Sequence, residues 1–487
     1  MKTSQFIFSR AALVLAALSA LQGCYAVRES AGGGQIEHPT AARRLQPADV
    51  LLPDGYQIEQ IASGLDFPTG VAIDENGGVY VTESGYSYGE YFGTPRLLRV
   101  DPDGELTVIT PGTDNGPWNG VDYRDGALYV SEGGELHGGR ILRIERDGAT
   151  TVLVDGLPSM GSHHTNGPVV GKDGYVYFGQ GTATNSGVVG VDDYEFGWLK
   201  RHPGFHDVPC RDVMLRGTNY VTKNPLKGGE ATTGAFSPFG EATRPGQVIP
   251  GRVPCSGAVM RVPARGGQIE LVAWGFRNPY GLAFAPDGQL YVTENAFDER
   301  GSRPVYGSGD HLWRVKPGAF YGWPDFSGGE AVATMRFKPP GKEMIEALLA
   351  TPPAVEKPVA LFGVHSSSNG IDFSRSAAFG YQGQAFVAQF GDMAPKVGKV
   401  LAPVGYKIVR VDVTNGNVHD FAVNRGKNAP ASMLGTGGLE RPQAVRFDPS
   451  GNALYVVDFG IMTMSEKGPS PKPKTGAVYR ITRRGAP

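Results

Sequence analysis

The sequence predicts an all-β protein, a six-bladed β-propeller closed by its own N-terminal strand. Three observations predict it. A two-strand unit around a Gly turn recurs six times, and a third strand marked by Arg follows every copy. One strand is left over near the N-terminal end, while the last unit is a strand short. Composition agrees: among 487 residues, 71 Gly and 37 Pro with 40% hydrophobic and 19% charged residues suit many short strands joined by tight turns. A formal net charge of −2 with no long basic run leaves no electrostatic footprint for nucleic acid.

The copies follow in order along the chain. They read PTGVAIDENGGVYVTES at 68–84, WNGVDYRDGALYVSEGG at 118–134 and TNGPVVGKDGYVYFGQG at 165–181. They continue as NPYGLAFAPDGQLYVTEN at 278–295, a longer-looped SNGIDFSRSAAFGYQGQAFVAQFG at 368–391, and PQAVRFDPSGNALYVVDFG at 442–460. Each alternates with period two on either side of a Gly turn, the mark of a hairpin. Arg99, Arg143, Arg261, Arg314, Arg410 and Arg480 sit at one repeated place in the third strands, which predicts a structural role for them. Runs such as TVIT, TTVLV, IELVAW and VHDFAV supply fourth strands. The last unit stops after 479–481, and the strand at 56–61 has no blade of its own. Donating it to the C-terminal blade closes the ring and removes an open edge.

Outside the propeller at 49–487, residues 1–23 have the pattern of an export signal. Lys2 and Arg10 flank a short stretch, and the apolar run at 11–21 is too short to span a bilayer. It ends in Leu21-Gln22-Gly23-Cys24, which resembles the bacterial lipoprotein cleavage box. The expectation is therefore lipidation at Cys24, a flexible tether over 24–48 and a periplasmic, membrane-anchored domain. Two cysteines remain, Cys210 and Cys255, and in an oxidising compartment an even pair is expected to be bridged. Both lie in a Gly- and Pro-rich stretch at about 182–255, too long for an ordinary connection. It is expected to be an excursion over one face of the ring.

A meandering blade brings the start of its first strand and the end of its second to the same face. One mouth of the channel therefore gathers Pro117-Trp118-Asn119, His163-His164-Thr165-Asn166, Phe276-Arg277-Asn278, His365 and Arg441-Pro442-Gln443. The second strands end there at Glu83, Glu132, Gln180, Glu294, Gln389 and Asp458. Such a concave polar mouth is where a ligand is expected. The carboxylates and amides at the strand ends have a second possible use, capping the amides of the neighbouring loops.

The segment Gly275-Phe276-Arg277-Asn278-Pro279-Tyr280-Gly281-Leu282-Ala283-Phe284, with Gly309-Asp310-His311-Leu312 and Tyr321-Gly322-Trp323-Pro324 after it, resembles the soluble quinoprotein glucose dehydrogenase and sorbosone dehydrogenase family. His164-Thr165-Asn166-Gly167 and Gly405-Tyr406-Lys407 resemble it too, and the likeness runs over roughly 50–485 except the excursion. The resemblance implies pyrroloquinoline quinone (PQQ) on the mouth, held with a calcium ion, and oxidation of an aldose or related sugar. It makes His164 the general base and Arg277 the group that stabilises charge on the quinone. Asn278, Gln180, His365, Arg441 and Lys407 become cofactor contacts, the last two for its carboxylates. Calcium would take hard oxygens from Glu294, Asp298, Glu299 and Asp310. The sequence departs from the family pattern where a Gly-Pro should follow the fourth second strand and reads Glu294-Asn295-Ala296-Phe297-Asp298-Glu299 instead. His163 and His311 also stand where acids are usual.

The expected function is PQQ-dependent sugar oxidation in the periplasm, with a small-molecule sugar as substrate. No C-x-x-C-H haem motif is present, so electrons are expected to go to a separate acceptor. Two alternatives remain at this point: a non-catalytic propeller that binds a glycan or protein at the same mouth, and a calcium-dependent lactonase or hydrolase.

Overall fold

The computed structural model describes residues 42–87 and 91–485. Six antiparallel sheets are arranged as the blades of a propeller. From the axis outward, blade one is Pro68–Ile73, Val79–Glu83, Arg96–Val100 and Leu106–Pro111. Blade two is Trp118–Arg124, Ala127–Glu132, Gly139–Glu145 and Thr150–Leu157. Blade three is Thr165–Val170, Tyr175–Gln180, Ala258–Pro263 and Glu270–Trp274. Blade four is Asn278–Phe284, Leu290–Asn295, Gly309–Arg314 and Ala360–Val364. Blade five is Ser368–Phe373, Ala385–Gln389, Lys407–Asp412 and Asn417–Asn424. Blade six is Pro442–Phe447, Ala453–Asp458, Gly476–Arg483 and, outermost, Tyr56–Leu65.

The hairpin turns follow from their residues. Asp74 Oδ1 accepts the amides of Asn76 and Gly78 at 2.9 and 2.7 Å, and Gly77 takes φ +84°. Asp448 Oδ1 does the same for Ala453 at 2.9 Å beside Gly451 at φ +73°. An Asp that bonds the turn amides and a Gly that tolerates the left-handed region together fix a tight reversal. Second strands such as Val79–Glu83 and Ala453–Asp458 are buried along their whole length, and apolar clusters fill the space between neighbouring blades.

Closure is as the sequence predicts. Tyr56–Leu65 pairs antiparallel with Gly476–Arg483, Tyr56 opposite Arg483 and Leu65 opposite Gly476. Inner strands of successive blades touch around the ring, and Pro442–Phe447 touches Pro68–Ile73. The N-terminal segment also adds Val50–Leu51 as a fifth strand on blade five, a pairing the sequence did not suggest. The third-strand arginines stay at the periphery. Arg99 pairs with Asp101 at 2.9 Å, Arg480 with Glu59 at 2.7 Å, and Arg410 stacks 4.2 Å from the Tyr381 ring centre.

The tether expected over 24–48 is shorter than that at its C-terminal end. Arg43 donates to the Gly438 carbonyl at 2.6 Å and pairs with Asp458 at 3.2 Å, while Gln60 donates to the Arg43 carbonyl at 3.1 Å. A buried carboxylate at Asp458 holds the cation, so the chain is fixed to blade six from residue 43. The export signal, Cys24 and the rest of the tether lie outside the described residues.

Between the second and third strands of blade three the chain makes the long excursion. It carries two short helices, Val191–Glu195 and Trp198–Arg201, and small hairpins, among them Asn219–Lys223 with Glu230–Gly234. Cys210 and Cys255 are joined by a disulfide, with Cα atoms 5.0 Å apart. A second long connection, which the repeat pattern did not reveal, separates Gly309–Arg314 from Ala360–Val364 in blade four. The two pack together through Val213, Leu215, Phe236, Trp323, Leu348 and neighbours. Arg303, fully buried, fastens them with bonds to the Ser186 and Pro324 carbonyls at 3.2 and 2.7 Å and to Asp325 at 2.7 Å.

Candidate functional site

The channel is narrowed by glycines at one repeated place in the inner strands. A Cβ on Gly120 would lie 2.0 Å from the Gly167 carbonyl oxygen, and one on Gly281 would lie 2.3 Å from that of Asn369. Neighbouring strands approach too closely there for a side chain. The residues one position earlier are Thr69, Asn119, Asn166, Tyr280, Asn369 and Gln443, and most of them engage one another. Asn119 donates to Asn166 at 3.1 Å, Asn166 to Asn278 at 2.8 Å, and Asn278 to Asn295 at 3.0 Å. Asn295 donates to Asn369 at 3.1 Å, Asn369 to Gln443 at 2.8 Å, and Gln443 to the Tyr280 hydroxyl. This head-to-tail chain of amides, with its orientation set by the hydrogen-bond network, forms a polar layer across the channel.

Above the layer is a cavity of about 490 Å³, part of it open to solvent. Its walls are hydroxyls and amides from Thr69, Ser84, Asn119, Asn295, Ser367 and Gln443, the aromatic rings of Phe390 and Phe459, Met393, and the imidazole of His164. Among the described residues no Asp, Glu, Lys or Arg lines it. Ser367 reaches it from a backbone at φ +50°, next to His365 at +62°.

The two adjacent histidines diverge. His163 turns its Nδ1 to the Thr182 carbonyl at 2.8 Å, away from the cavity. His164 faces the cavity with its Nδ1 3.2 Å from the Ser159 carbonyl. That carbonyl makes Nδ1 the protonated nitrogen and Nε2 the acceptor. Burial lowers the His164 pKa to about 4; the Ser159 bond opposes the shift and the Arg201 charge adds to it. The imidazole is therefore neutral at ordinary pH. The edge of its ring meets Trp198 of the excursion, centroids 5.9 Å apart.

The cations expected at the mouth are committed elsewhere. Arg277 donates to Asn185 Oδ1 at 3.1 Å, the Asn295 carbonyl at 3.2 Å and Asp298 at 2.6 Å. Arg441 gives its protons to the Met462 and Asp392 carbonyls at 3.1 and 3.2 Å and lies against the Phe390 and Tyr406 rings. Lys407 turns outward to Asp420 at 2.7 Å. None of the three lines the cavity. His365 lies 3.6 Å from Glu299 under the chain at Gly398, and it too stands outside the cavity.

Three of the strand-end carboxylates cap loop amides, while Glu132 takes Asn115 Nδ2 at 2.8 Å and Trp118 Nε1 at 3.1 Å. Glu83 accepts the Asp66 amide at 2.7 Å, Asp458 the Glu440 amide at 2.7 Å, and Glu294 the Arg277 amide at 2.5 Å. The second oxygen of Glu294 takes Trp313 Nε1 at 2.6 Å and His311 at 3.1 Å. Gln180 accepts from Thr165 at 2.8 Å and donates to the Pro158 carbonyl at 3.1 Å. Gln180 and Glu294 are thus not directed at a ligand: Glu294 satisfies a loop amide and two ring N–H groups, and Gln180 a Thr hydroxyl and a loop carbonyl.

The other acids of the expected calcium set are also taken. Asp298 is shared between Arg277 and Arg300 at 2.6 and 3.0 Å. Burial pushes its pKa up, and the two guanidinium groups outweigh that and hold it low. Glu299 accepts the Lys399 amide at 3.3 Å. Asp310 accepts the Ala296 and Ser368 amides at 3.0 and 2.7 Å and the Ser366 hydroxyl at 2.9 Å. Among the described residues no three metal-ligating side chains come together. The donor set fits neither a calcium ion nor a quinone held by its carboxylates.

Of the residues predicted from sequence, the structure brings Pro117, Asn119, His164 and Gln443 to the cavity, and Asn166 and Asn278 into the amide layer beneath it. It adds Tyr280, Asn369, Asn295 and Trp198. The first two carry a signal that went unread, the residue just before the small one in each repeat.

Residues 251–394 match the Glucose / Sorbosone dehydrogenase family. The match includes Arg277, Asn278 and His365 but stops short of His164, Lys407 and Arg441. No curated protein matches the sequence. The holo form of the pyranose dehydrogenase PQQ domain from Coprinopsis cinerea aligns with a TM-score of 0.55 at 15% identity, over 91% of this chain and 98% of that one. The PQQ-bound aldose sugar dehydrogenase from Streptomyces coelicolor gives 0.51 at 16%, over 89% and 99%. The calcium structure of Trichoderma reesei Carbohydrate-Active Enzymes Family AA12 gives 0.55 at 15%, over 90% and 98%. At such identities the likeness is one of fold.

Proposed function

We propose that the chain is a sugar oxidoreductase of the glucose and sorbosone dehydrogenase kind, exported, anchored through Cys24, and working at the mouth of its propeller. The observation that carries this reading is the His164 imidazole, kept uncharged by burial, on the wall of a cavity made mostly of hydroxyls, amides and aromatic rings. Hydroxyl-rich sugars match such walls, with their polar edges on the amides and their C–H faces on Phe390 and Phe459. In the reaction, His164 Nε2 accepts the proton of a substrate hydroxyl. The hydride leaves the same carbon for a two-electron acceptor, and the carbonyl forms.

PQQ is the acceptor that the resemblance implies, and quinone chemistry is what it would supply. Arg277, Arg441 and Lys407 would have to leave their present partners to grip it. The same engaged cations favour a second reading, a propeller that binds a neutral glycan without turning it over. A calcium-dependent hydrolase would need the carboxylates that cap loops and pair with arginine.

The test is oxidation of a panel of aldoses with a dye acceptor, with and without added PQQ and calcium, beside direct binding of the same sugars. Turnover supports the oxidoreductase; binding without turnover under every condition supports the second reading. With calcium absent from the scheme, a chelator is expected to leave sugar binding and the melting temperature unchanged, as followed by calorimetry.

A further inference from the structure

Trp198 belongs to the excursion, in the short helix Trp198–Arg201, yet it meets a residue of blade three. Its ring is 4% exposed and stands at 64° to the His164 imidazole, centroids 5.9 Å apart. Trp198 packs in an apolar cluster with Ala183, Val189, Leu199 and Phe205, and the Arg201 guanidinium carbon lies 4.6 Å from its ring centre. Arg201 then reaches across to blade two, where Nη2 is 2.7 Å from Glu135 Oε1. Glu135 is 2% exposed and follows the second strand of that blade at the mouth, its amide bonded to the Gly116 carbonyl at 2.9 Å. Pro117 and Asn119, just after Gly116, form the cavity wall beside His164. Besides that apolar cluster, the helix is tied to blade two by an ion pair and to the entry of blade three by an aromatic contact on the imidazole itself.

We infer that the excursion builds part of the working site, with Trp198, held by Arg201 and Glu135, as the positioning residue for the His164 imidazole. Trp198 does not line the cavity, so the contact restrains the imidazole from outside it. The Ser159 carbonyl fixes its tautomer, so Nε2 keeps one direction. An indole also excludes water from that side, which keeps the imidazole uncharged. Arg201 from the excursion lowers the His164 pKa, beside the larger effect of burial, and the neighbouring His163 is itself kept neutral by burial and by Arg277 and Arg300. Arg201 has two opposed parts in this arrangement. Its stacking holds Trp198 in place, and its charge disfavours protonation of the imidazole beyond.

The inference rests on the proposed oxidation for its catalytic meaning, and its test separates the two. Histidine-labelled protein is titrated by NMR as wild type, Arg201→Gln and Trp198→Leu, and kcat and KM are followed against pH in the same variants and in Trp198→Phe. Arg201 is about one-third exposed on its side chain, so Arg201→Gln is expected to fold. Loss of its charge should raise the His164 midpoint by about half a pH unit, with the acid limb of kcat/KM moving with it. Trp198→Leu should lower kcat by roughly tenfold or more at nearly constant KM, and Trp198→Phe should recover most of the loss. An unchanged His164 titration in Arg201→Gln overturns the inference, as does a Trp198→Leu protein that is less stable but turns over normally per folded molecule. If the wild type oxidises no sugar with any acceptor, the oxidation reading fails, and the NMR titration still decides whether the excursion controls His164.

Discussion

The guanidinium of Arg277 and the carboxylate of Asp298 meet at 2.6 Å with their side chains only 3% and 13% exposed. Arg277 also bonds Asn185 in the excursion and the Asn295 carbonyl in blade four, so a residue expected to stabilise charge on a cofactor instead joins three parts of the structure.

Removing that cation should therefore be felt in stability before chemistry. Arg277→Ala leaves Asp298 buried with Arg300 as its remaining cation, and the expected loss is about 3–5 kcal/mol in urea unfolding. Arg277→Lys should recover little, because a single ammonium cannot reach the same three partners. Normal stability in Arg277→Ala would show that the pairing is dispensable.

His164 sets the pH dependence. Its pKa, lowered to about 4, keeps the base uncharged from neutrality down to about pH 5, so kcat/KM should stay level there and fall through a midpoint near 4. A lowered histidine pKa also favours folding above the ordinary value of 6.5, and this contribution is lost as pH falls from 6.5 towards 4. His164→Gln should keep the fold and lower kcat by roughly 10²–10⁴-fold. A profile that titrates near 6.5, or a variant at wild-type rate, would remove His164 as the base.

The Cys210–Cys255 bridge closes a loop with a sequence separation of 45. Chain entropy puts its worth at roughly 4 kcal/mol as an upper figure. Because Cys255 packs into the core of blade three while the bulk of the loop lies outside the blades, a double Ser variant should loosen the excursion without opening the ring. Hydrogen exchange should rise across residues 182–255 and stay slow in the second strands. Uniform loss of protection would instead make the bridge essential to the whole fold.

Anchoring depends on a single side chain. Cys24→Ser should move the protein from the membrane fraction to the soluble one with its melting temperature unchanged. A wild-type protein found soluble, with an unmodified N-terminus beyond residue 24, would count against lipidation.

The propeller was legible because each blade repeats the same physical solution, period-two strands about an Asp and Gly turn, six times over. The closing strand could be read from a missing partner at the opposite end of the chain. The site was less legible. Glu294 and Gln180 look alike as ligand groups and as loop caps, and only the position of the Arg277 and Thr165 donors decides between them. The fates of Arg441 and Lys407 depend on backbone carbonyls and on Asp420, which no local pattern announces. Trp198 was invisible because the excursion has no repeat to place it in space.

Pairing Tyr56–Leu65 with Gly476–Arg483 also orders events in time. Tyr56–Leu65 has no partner until Gly476–Arg483 has been made, while, apart from Val50–Leu51 on blade five, the other blade strands pair with strands closer in sequence. Blades can form one after another as the polypeptide lengthens, but the circle stays open until Gly476–Arg483 arrives. Closing it is a contact of extreme sequence separation, and such contacts form late and slowly. A chain stopped a few residues short of 476 would then hold five finished blades and an unsealed sixth, its innermost strands in place and its rim without the strand on which the N-terminal segment must lie.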